Sequence, residues 1–184
     1  TTLKVKGNFI IESGGTLTYD KGKLKNRDVN LIINVEGDAR IDGDIDLTGV
    51  KGSKGATGSG TYSSGVGKPG GVGGRGSNGK DITINVADGN LIISGTITTK
   101  GGQGGKGGKG AKGENGEWAE YEYNWYYERW VRTSYATDGK DGGTGGRGGT
   151  GGTAGQINFK SRYLQINRTA YISSKGGDRG DRGA

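Results

Sequence analysis

The sequence predicts an all-β protein with a repetitive, β-solenoid-like or sandwich-like core, protruding hairpins with glycine at every third position, and essentially no α-helix. Three observations lead to this fold class. Short apolar blocks alternate with polar residues at the period of a strand. The same block recurs along the chain between glycine-rich stretches. The 184 residues include 44 Gly but are only 28% hydrophobic, so a conventional apolar core cannot extend through the whole chain.

The strand-forming blocks are copies of one unit. Three pairs of segments match in sequence: 7–11 with 89–93, 33–35 with 84–86, and 97–102 with 172–177. Ile82, Ile84 and Val86 alternate with polar residues, as in a half-buried strand, and Asp-Gly steps between the blocks indicate turns. A unit of two or three short strands cannot bury its apolar face alone, so we expect successive units to stack.

The glycine residues form separate series in which every third residue is Gly. The two longest series are Gly101, Gly104, Gly107, Gly110, Gly113 and Gly116, and Gly139, Gly142, Gly145, Gly148 and Gly151; shorter ones run over 49–58, 67–79 and 177–183. Successive series are joined by loops without this period, which predicts hairpins that leave the β core and return. The predicted organisation is β core at 1–48, a glycine hairpin at 49–80, β core at 81–100, a second hairpin at 101–155 with an aromatic tip loop at 117–138, β core at 156–175 and a glycine-rich tail at 176–184.

A polyproline-II-type helix has three residues per turn, so glycine at every third position leaves one face of the helix without side chains. Such helices can pack backbone against backbone and exchange hydrogen bonds, while Lys, Arg, Thr or Asp at the remaining position points outward. Collagen shares the period but needs abundant proline, and Pro69 is the only one in the sequence. Disordered Gly-Lys-Arg linkers are the other alternative, and the regular spacing over several segments argues against them.

The Gly-Gly-x repeats, such as residues 104–106 and 148–150, resemble those of extracellular proteins that contain polyglycine-II bundles. These proteins include glycine-rich microbial filament subunits and the adhesin tips of phage tail fibres. The likeness covers the glycine segments alone, and it implies a rigid rod that displays other residues.

The predicted tip loop holds most of the aromatic residues. It contains Trp118, Tyr121, Tyr123, Trp125, Tyr126, Tyr127, Trp130 and Tyr135, together with Arg129 and Arg132. Flat amphipathic rings of this kind stack on sugars or bury themselves in a partner's surface. The loop is therefore a candidate for contact with a receptor or with the next subunit. The alternative is that the rings pack on one another and close the end of the glycine bundle.

Two polar sites are also candidates. Asp42, Asp44 and Asp46 alternate along a predicted strand, which places their carboxylates on one face where they could share a calcium ion. The alternative is a solvated face opposite buried isoleucines. Asn167 begins an Asn-x-Thr triplet and is a candidate glycosylation site. No other cofactor is expected.

Composition argues against catalysis. The chain has no Cys, His or Met, so it lacks thiolate chemistry, the side chain best suited to acid–base work near neutral pH, and the commonest zinc ligand. No apolar run is long enough to cross a bilayer, so membrane insertion is not expected. The net charge of +7 comes in large part from lysines and arginines that lie between the glycines of the series, so no specific nucleic-acid partner is needed to explain it.

These observations predict a non-enzymatic, secreted protein at the cell surface or outside the cell. The leading hypothesis is a self-assembling subunit of an extracellular filament or surface layer, which polymerises through edge strands, glycine segments and aromatic contacts. The alternative is a receptor-binding adhesin at a fibre tip, with the aromatic loop recognising cell-surface glycans.

Overall fold

The structure is a computed structural model that describes residues 1–24 and 27–184. The chain divides into two compact units. The first unit comprises Thr1–Ser53, Gly74–Gly105 and Gly149–Gly180, and the second comprises Lys54–Gly73, Lys106–Gly148 and Asp181–Ala184. Each glycine segment crosses from one unit to the other, so the division does not coincide with the boundaries predicted from sequence.

In the described part of the chain, all regular elements except one four-residue helix are strands. Their order is β1 (Thr2–Val5), β2 (Phe9–Ile11), β3 (Thr16–Thr18), α1 (Lys21–Leu24), β4 (Asn30–Val35), β5 (Ala39–Ile41), β6 (Asp44–Asp46), β7 (Asp81–Val86), β8 (Asn90–Ile93), β9 (Thr96–Thr98), β10 (Tyr121–Asn124), β11 (Arg129–Arg132), β12 (Ile157–Lys160), β13 (Tyr163–Ile166) and β14 (Tyr171–Ser173). The predicted all-β fold class is confirmed.

The strands of the first unit form three parallel sheets within the described residues. Their orders are β1-β4-β7-β12, β2-β5-β8-β13 and β3-β6-β9-β14. Each sheet therefore takes one strand from each of four successive repeats, in the same order, which is a solenoid-like arrangement. Ile33 pairs with Ile84, and Ile97 pairs with Ile172, so the registers agree with the sequence repeat.

The core of the first unit consists of the inward side chains of these strands. Alternate positions are buried, as strand geometry requires, and the middle two repeats supply nearly all of the fully buried residues. These residues are Ile33, Val35, Ala39, Ile41, Ile45, Leu47, Ile82, Ile84, Val86, Leu91, Ile93 and Ile97. Each large aliphatic side chain buried here contributes about 1.5–3 kcal/mol of transfer free energy. The predicted alternation is confirmed for Ile82, Ile84 and Val86.

The glycine stretches are five segments, which we number in chain order as 49–58, 67–79, 101–116, 139–155 and 176–183. In the first unit they are joined by backbone hydrogen bonds that recur every third residue. Gly102 N and Gly105 N, for example, donate to the carbonyl oxygens of Ser77 and Gly74 at 2.8 Å each. The third segment bonds there to each of the other four segments. This is the period expected of helices with three residues per turn.

The second unit repeats this pattern with its own residues. Gly108 N donates to the Gly71 carbonyl oxygen at 2.8 Å, and Gly71 N donates to the Ala56 carbonyl oxygen at 2.7 Å. Gly146 N in turn donates to the Gly108 carbonyl oxygen at 2.8 Å. The backbone groups that a lone helix would leave to water are therefore paired between segments.

Candidate assembly surfaces and aromatic hairpin

The outer strands of the three sheets expose apolar side chains that belong to the core pattern. Leu164 pairs with Leu91, and Ile166 pairs with Ile93, so both point toward the interior of the first unit. Leu91 and Ile93 are fully buried, whereas Leu164 and Ile166 are 43% and 51% exposed. The difference arises because, in the described residues, no strand pairs with the outer side of β13.

The opposite edge of the sheets has the same character. Leu3 pairs with the fully buried Ile33 yet is 40% exposed, because β1 is the outermost strand of its sheet among the described residues. Both edges also present unpaired N–H and C=O groups along parallel strands. Such edges are templates on which another chain can add strands.

The two edges match each other at four inward positions. Following the registers through the sheets relates four inward residues of the last repeat to four of the first. The pairs are Phe159 with Leu3, Leu164 with Phe9, Ile166 with Ile11, and Ile172 with Leu17. At these four inward positions, an apolar residue at one edge therefore has an apolar counterpart at the other.

The number of glycines per triplet follows the number of neighbouring segments. In the first unit, a Cβ atom on Gly104 would overlap the Gly149 carbonyl oxygen, and one on Gly105 would overlap the Ser53 carbonyl oxygen. The part of the third segment that lies in the first unit therefore needs two adjacent glycines per triplet, as at 101–102 and 104–105. The first segment bonds to two neighbours and has glycine only at every third residue, such as Gly52.

The aromatic loop of the second unit contains an antiparallel hairpin of β10 and β11. Tyr123 pairs with Trp130 in its register, and their ring centroids lie 5.6 Å apart at an edge-to-face angle. The ring of Trp125 packs edge-to-face on Tyr123 with centroids 4.8 Å apart. Asn124 Oδ1 accepts hydrogen bonds from the backbone N–H groups of Tyr126 and Tyr127, which fixes the turn.

Most of these rings remain exposed although some of them touch. Trp118 is 89% exposed and Trp125 is 84% exposed; Tyr121, Tyr126, Tyr127, Trp130 and Tyr135 are also exposed, whereas Tyr123 is half-buried. The Arg132 guanidinium lies 3.7 Å from the centroid of the Tyr135 ring, and that of Arg129 lies 5.6 Å from the centroid of Tyr127. The loop thus presents rings and cations to solvent.

The three aspartates of the candidate calcium site lie at and before β6. Asp42 Oδ2 forms an ion pair with Arg40 Nε at 2.6 Å, and Asp46 Oδ2 forms one with Lys21 Nζ at 2.6 Å. Burial alone would raise the pKa of the Asp46 carboxyl, but hydrogen bonds from Lys21 and Thr48 outweigh it and hold this pKa below its ordinary value. Residues 1–24 and 27–184 contain no group of three acidic side chains that could hold a metal ion. Calcium binding by Asp42, Asp44 and Asp46 stays a prediction.

Asn167 follows β13, and its side chain is engaged within the first unit. Its Nδ2 donates to Ser94 Oγ at 2.9 Å, and its Oδ1 accepts from Gln165 Nε2 at 2.7 Å. The side chain is half-buried. Glycosylation at this amide would have to replace the bond to Ser94, and it stays a prediction.

Sequence reasoning missed several basic residues at the sheet edges. Lys4, Lys160 and Arg162 lie at or beside the outer strands, and Lys4 and Lys160 occupy a position where the middle repeats have Asn34 and Asn85. The signal was available, because aligning the repeats shows lysine only in the first and last copies. It was obscured by the many other lysines in the chain.

No protein-family model matches this chain, and no curated protein matches it. In the described residues, no helix has the length and apolar character needed to cross a membrane.

Proposed function

We propose that this chain is the structural subunit of an extracellular filament or surface assembly, in which copies join through the outer strands of their sheets. The observation that carries the proposal is the exposure of Leu164 and Ile166, whose equivalents in the preceding repeat are fully buried. Burying these side chains, with those of the opposite edge, supplies the driving force for association.

A second copy is the favoured occupant because the two edges are complementary. Four inward residues at the β12, β13 and β14 edge, Phe159, Leu164, Ile166 and Ile172, have apolar counterparts at the β1, β2 and β3 edge. A copy added there would continue all three sheets in parallel and in register. This contact is head-to-tail, and head-to-tail contacts that do not close into a ring generate fibres.

The glycine segments support a role without catalysis. Their regular hydrogen bonds between segments favour polyglycine-II-type helices, whose packing depends on the backbone rather than on an apolar core. Such segments suit a subunit that is ordered outside the cell, where it must persist without disulfides.

Electron microscopy of the purified chain after incubation at high concentration tests the proposal. We expect long uniform fibres from the wild type and none from Ile166→Gln, which places an amide in the apolar seam. Ile10→Gln is the matched control, because Ile10 is 57% exposed on β2 but lies between the inward residues Phe9 and Ile11. Circular dichroism establishes that both variants are folded. Wild-type protein that stays monomeric at every concentration contradicts the proposal, as do fibres from Ile166→Gln that match those of the wild type.

The exposed aromatic loop favours a second candidate, a receptor-binding adhesin that recognises cell-surface glycans. Trp125 and Trp130 offer faces on which a sugar ring can stack, beside the cation of Arg132. The double variant Trp125→Ala/Trp130→Ala separates the two functions. Loss of fibres assigns the loop to contact between subunits, whereas intact fibres or monomers that no longer bind cells assign it to adhesion. Unchanged behaviour in both assays contradicts both roles for the loop.

A further inference from the structure

One column of side chains on the outer face of the first sheet changes character at its two ends. Registers place Lys4, Asn34, Asn85 and Lys160 next to one another across β1, β4, β7 and β12. In the middle, Asn85 Nδ2 donates to Asn34 Oδ1 at 2.9 Å. The repeat therefore forms an amide ladder in its interior and ends in a lysine at each edge.

Each end of this column has a second cationic residue close to its lysine. Arg162 lies two residues beyond Lys160, and Lys6 lies two residues beyond Lys4, each in a bend just after its strand. These four side chains are exposed, and none pairs with a carboxylate in residues 1–24 and 27–184. Two cations therefore stand at each outer edge of the sheet.

An open groove of about 700 Å³ lies at the ends of β1, β4, β7 and β12, where this column is found. The charged and amide side chains of its lining are those of Lys4, Asn34, Glu36, Asn85, Lys160 and Arg162. Glu36 is the one acidic residue in this lining, against three cations. Amide and cationic donors that converge in a groove suit an anion with several oxygen acceptors.

The next step rests on the proposed function. If a second copy continues the sheets in register, Lys160 of one copy and Lys4 of the next become neighbours at the usual strand spacing of about 4.8 Å. Arg162 and Lys6, which follow these lysines just beyond the strand ends, are then brought to the same junction. Like charges directly opposite one another in a sheet oppose pairing, and lysines at a sheet edge are a known means of preventing uncontrolled addition of strands.

We propose that this junction binds a multivalent phosphate-type anion, and that the anion is required for copies to join efficiently. One anion placed between Lys160, Arg162 and the two lysines of the next copy converts repulsion between the edges into attraction. The monomer alone presents half of the site at each edge, so the anion binds most strongly where two copies meet, and assembly and anion binding promote each other.

Light scattering and electron microscopy with tripolyphosphate as the probe test this inference. At low ionic strength in sodium chloride, we expect wild-type assembly to be slow and to accelerate on the order of tenfold when tripolyphosphate is added at constant ionic strength. The double variant Lys4→Asn/Lys160→Asn extends the amide ladder to both edges. It should assemble rapidly without tripolyphosphate and respond to it little.

Lys51→Asn/Arg75→Asn is the matched control, because it removes two exposed cations of the first unit that lie within glycine segments. It should keep the wild-type response to tripolyphosphate, since net charge changes equally in both double variants. Fibres that form at the same rate with and without tripolyphosphate overturn this inference and leave the proposed function standing. An equal response from the Lys4→Asn/Lys160→Asn variant and the wild type also overturns it. The absence of fibres in every sample overturns both.

Discussion

Replacing Gly105 by alanine tests the close packing of the glycine segments in the first unit. A Cβ atom on Gly105 would lie 2.6 Å from the Ser53 carbonyl carbon and 2.8 Å from the Gly52 carbonyl oxygen. Cβ atoms essentially never lie within 3.0 Å of an atom outside their own residue and its chain neighbours. Both obstructing groups belong to the backbone, so they cannot rotate away as the end of a side chain would. The segments must move apart.

The cost follows from what this movement disturbs. Gly105 N donates to the Gly74 carbonyl oxygen at 2.8 Å, and the Gly105 carbonyl oxygen accepts from Gly149 N at 2.8 Å. Forcing a methyl group into a packed interior costs about 1–3 kcal/mol, and each weakened hydrogen bond adds about 1 kcal/mol. The lower entropy of the unfolded alanine chain offsets about 0.4–1 kcal/mol. We expect a net loss of about 2–4 kcal/mol, or a fall in Tm of about 5–15 °C.

Thermal and urea unfolding followed by circular dichroism measure this loss. Gly176→Ala is the matched control in the same unit, because its Cβ atom meets nothing nearer than the Gly152 carbonyl oxygen at 3.6 Å. We expect the control to change the free energy of unfolding by no more than about 0.5 kcal/mol. Equal stability of the two variants would refute the inference that the glycines are there for close backbone approach.

Three further changes have defined outcomes. Thr99→Val removes the hydroxyl that donates to a buried carbonyl oxygen at 2.8 Å, so it should lower the free energy of unfolding in urea by about 1–2 kcal/mol. Thr150→Val, at an exposed position, should change it almost not at all. Equal effects of the two variants would contradict the role of that hydrogen bond. Below the concentration at which the protein assembles, Leu91→Ala should destabilise the monomer by about 2–5 kcal/mol and Leu164→Ala by roughly half as much or less. Similar losses of stability in the two variants would show that the outer strand β13 is covered. Because the pKa of Asp46 lies below its unfolded value of about 3.9, its contribution to stability is present above that pH and is lost as pH falls through the folded pKa. Asp46→Asn should therefore flatten the acid limb of the Tm profile, and an unchanged acid limb would exclude this carboxyl as a source of acid lability.

The sequence was sufficient for the fold class because its signals are local and periodic. Alternation at Ile82, Ile84 and Val86 specifies strands, and the matched copies specify which strands are equivalent. Equivalent strands of a repeat pair in register, since this buries the same apolar position in every copy. The spacing of the glycines likewise predicted backbone hydrogen bonds between segments at every third residue.

The aromatic loop was located by sequence, but the exposure of its rings was not. The sequence around Trp118 and Trp125 does not distinguish rings that pack inside a bundle from rings that face solvent. Both are largely exposed in the structure, although Trp125 packs edge-to-face on Tyr123 of the β10 and β11 hairpin.

By itself, the sequence determined the strand repeat, the period of the glycine segments and the position of the aromatic loop, because each is written in the spacing of neighbouring residues. The tertiary structure decided which residues are last in each sheet. Leu164 and Leu91 follow the same local pattern, yet Leu91 is buried and Leu164 is half-exposed, since burial depends on whether another strand lies alongside. The partners of the third glycine segment and the column of Lys4, Asn34, Asn85 and Lys160 were decided in the same way, by contacts between residues far apart in the chain.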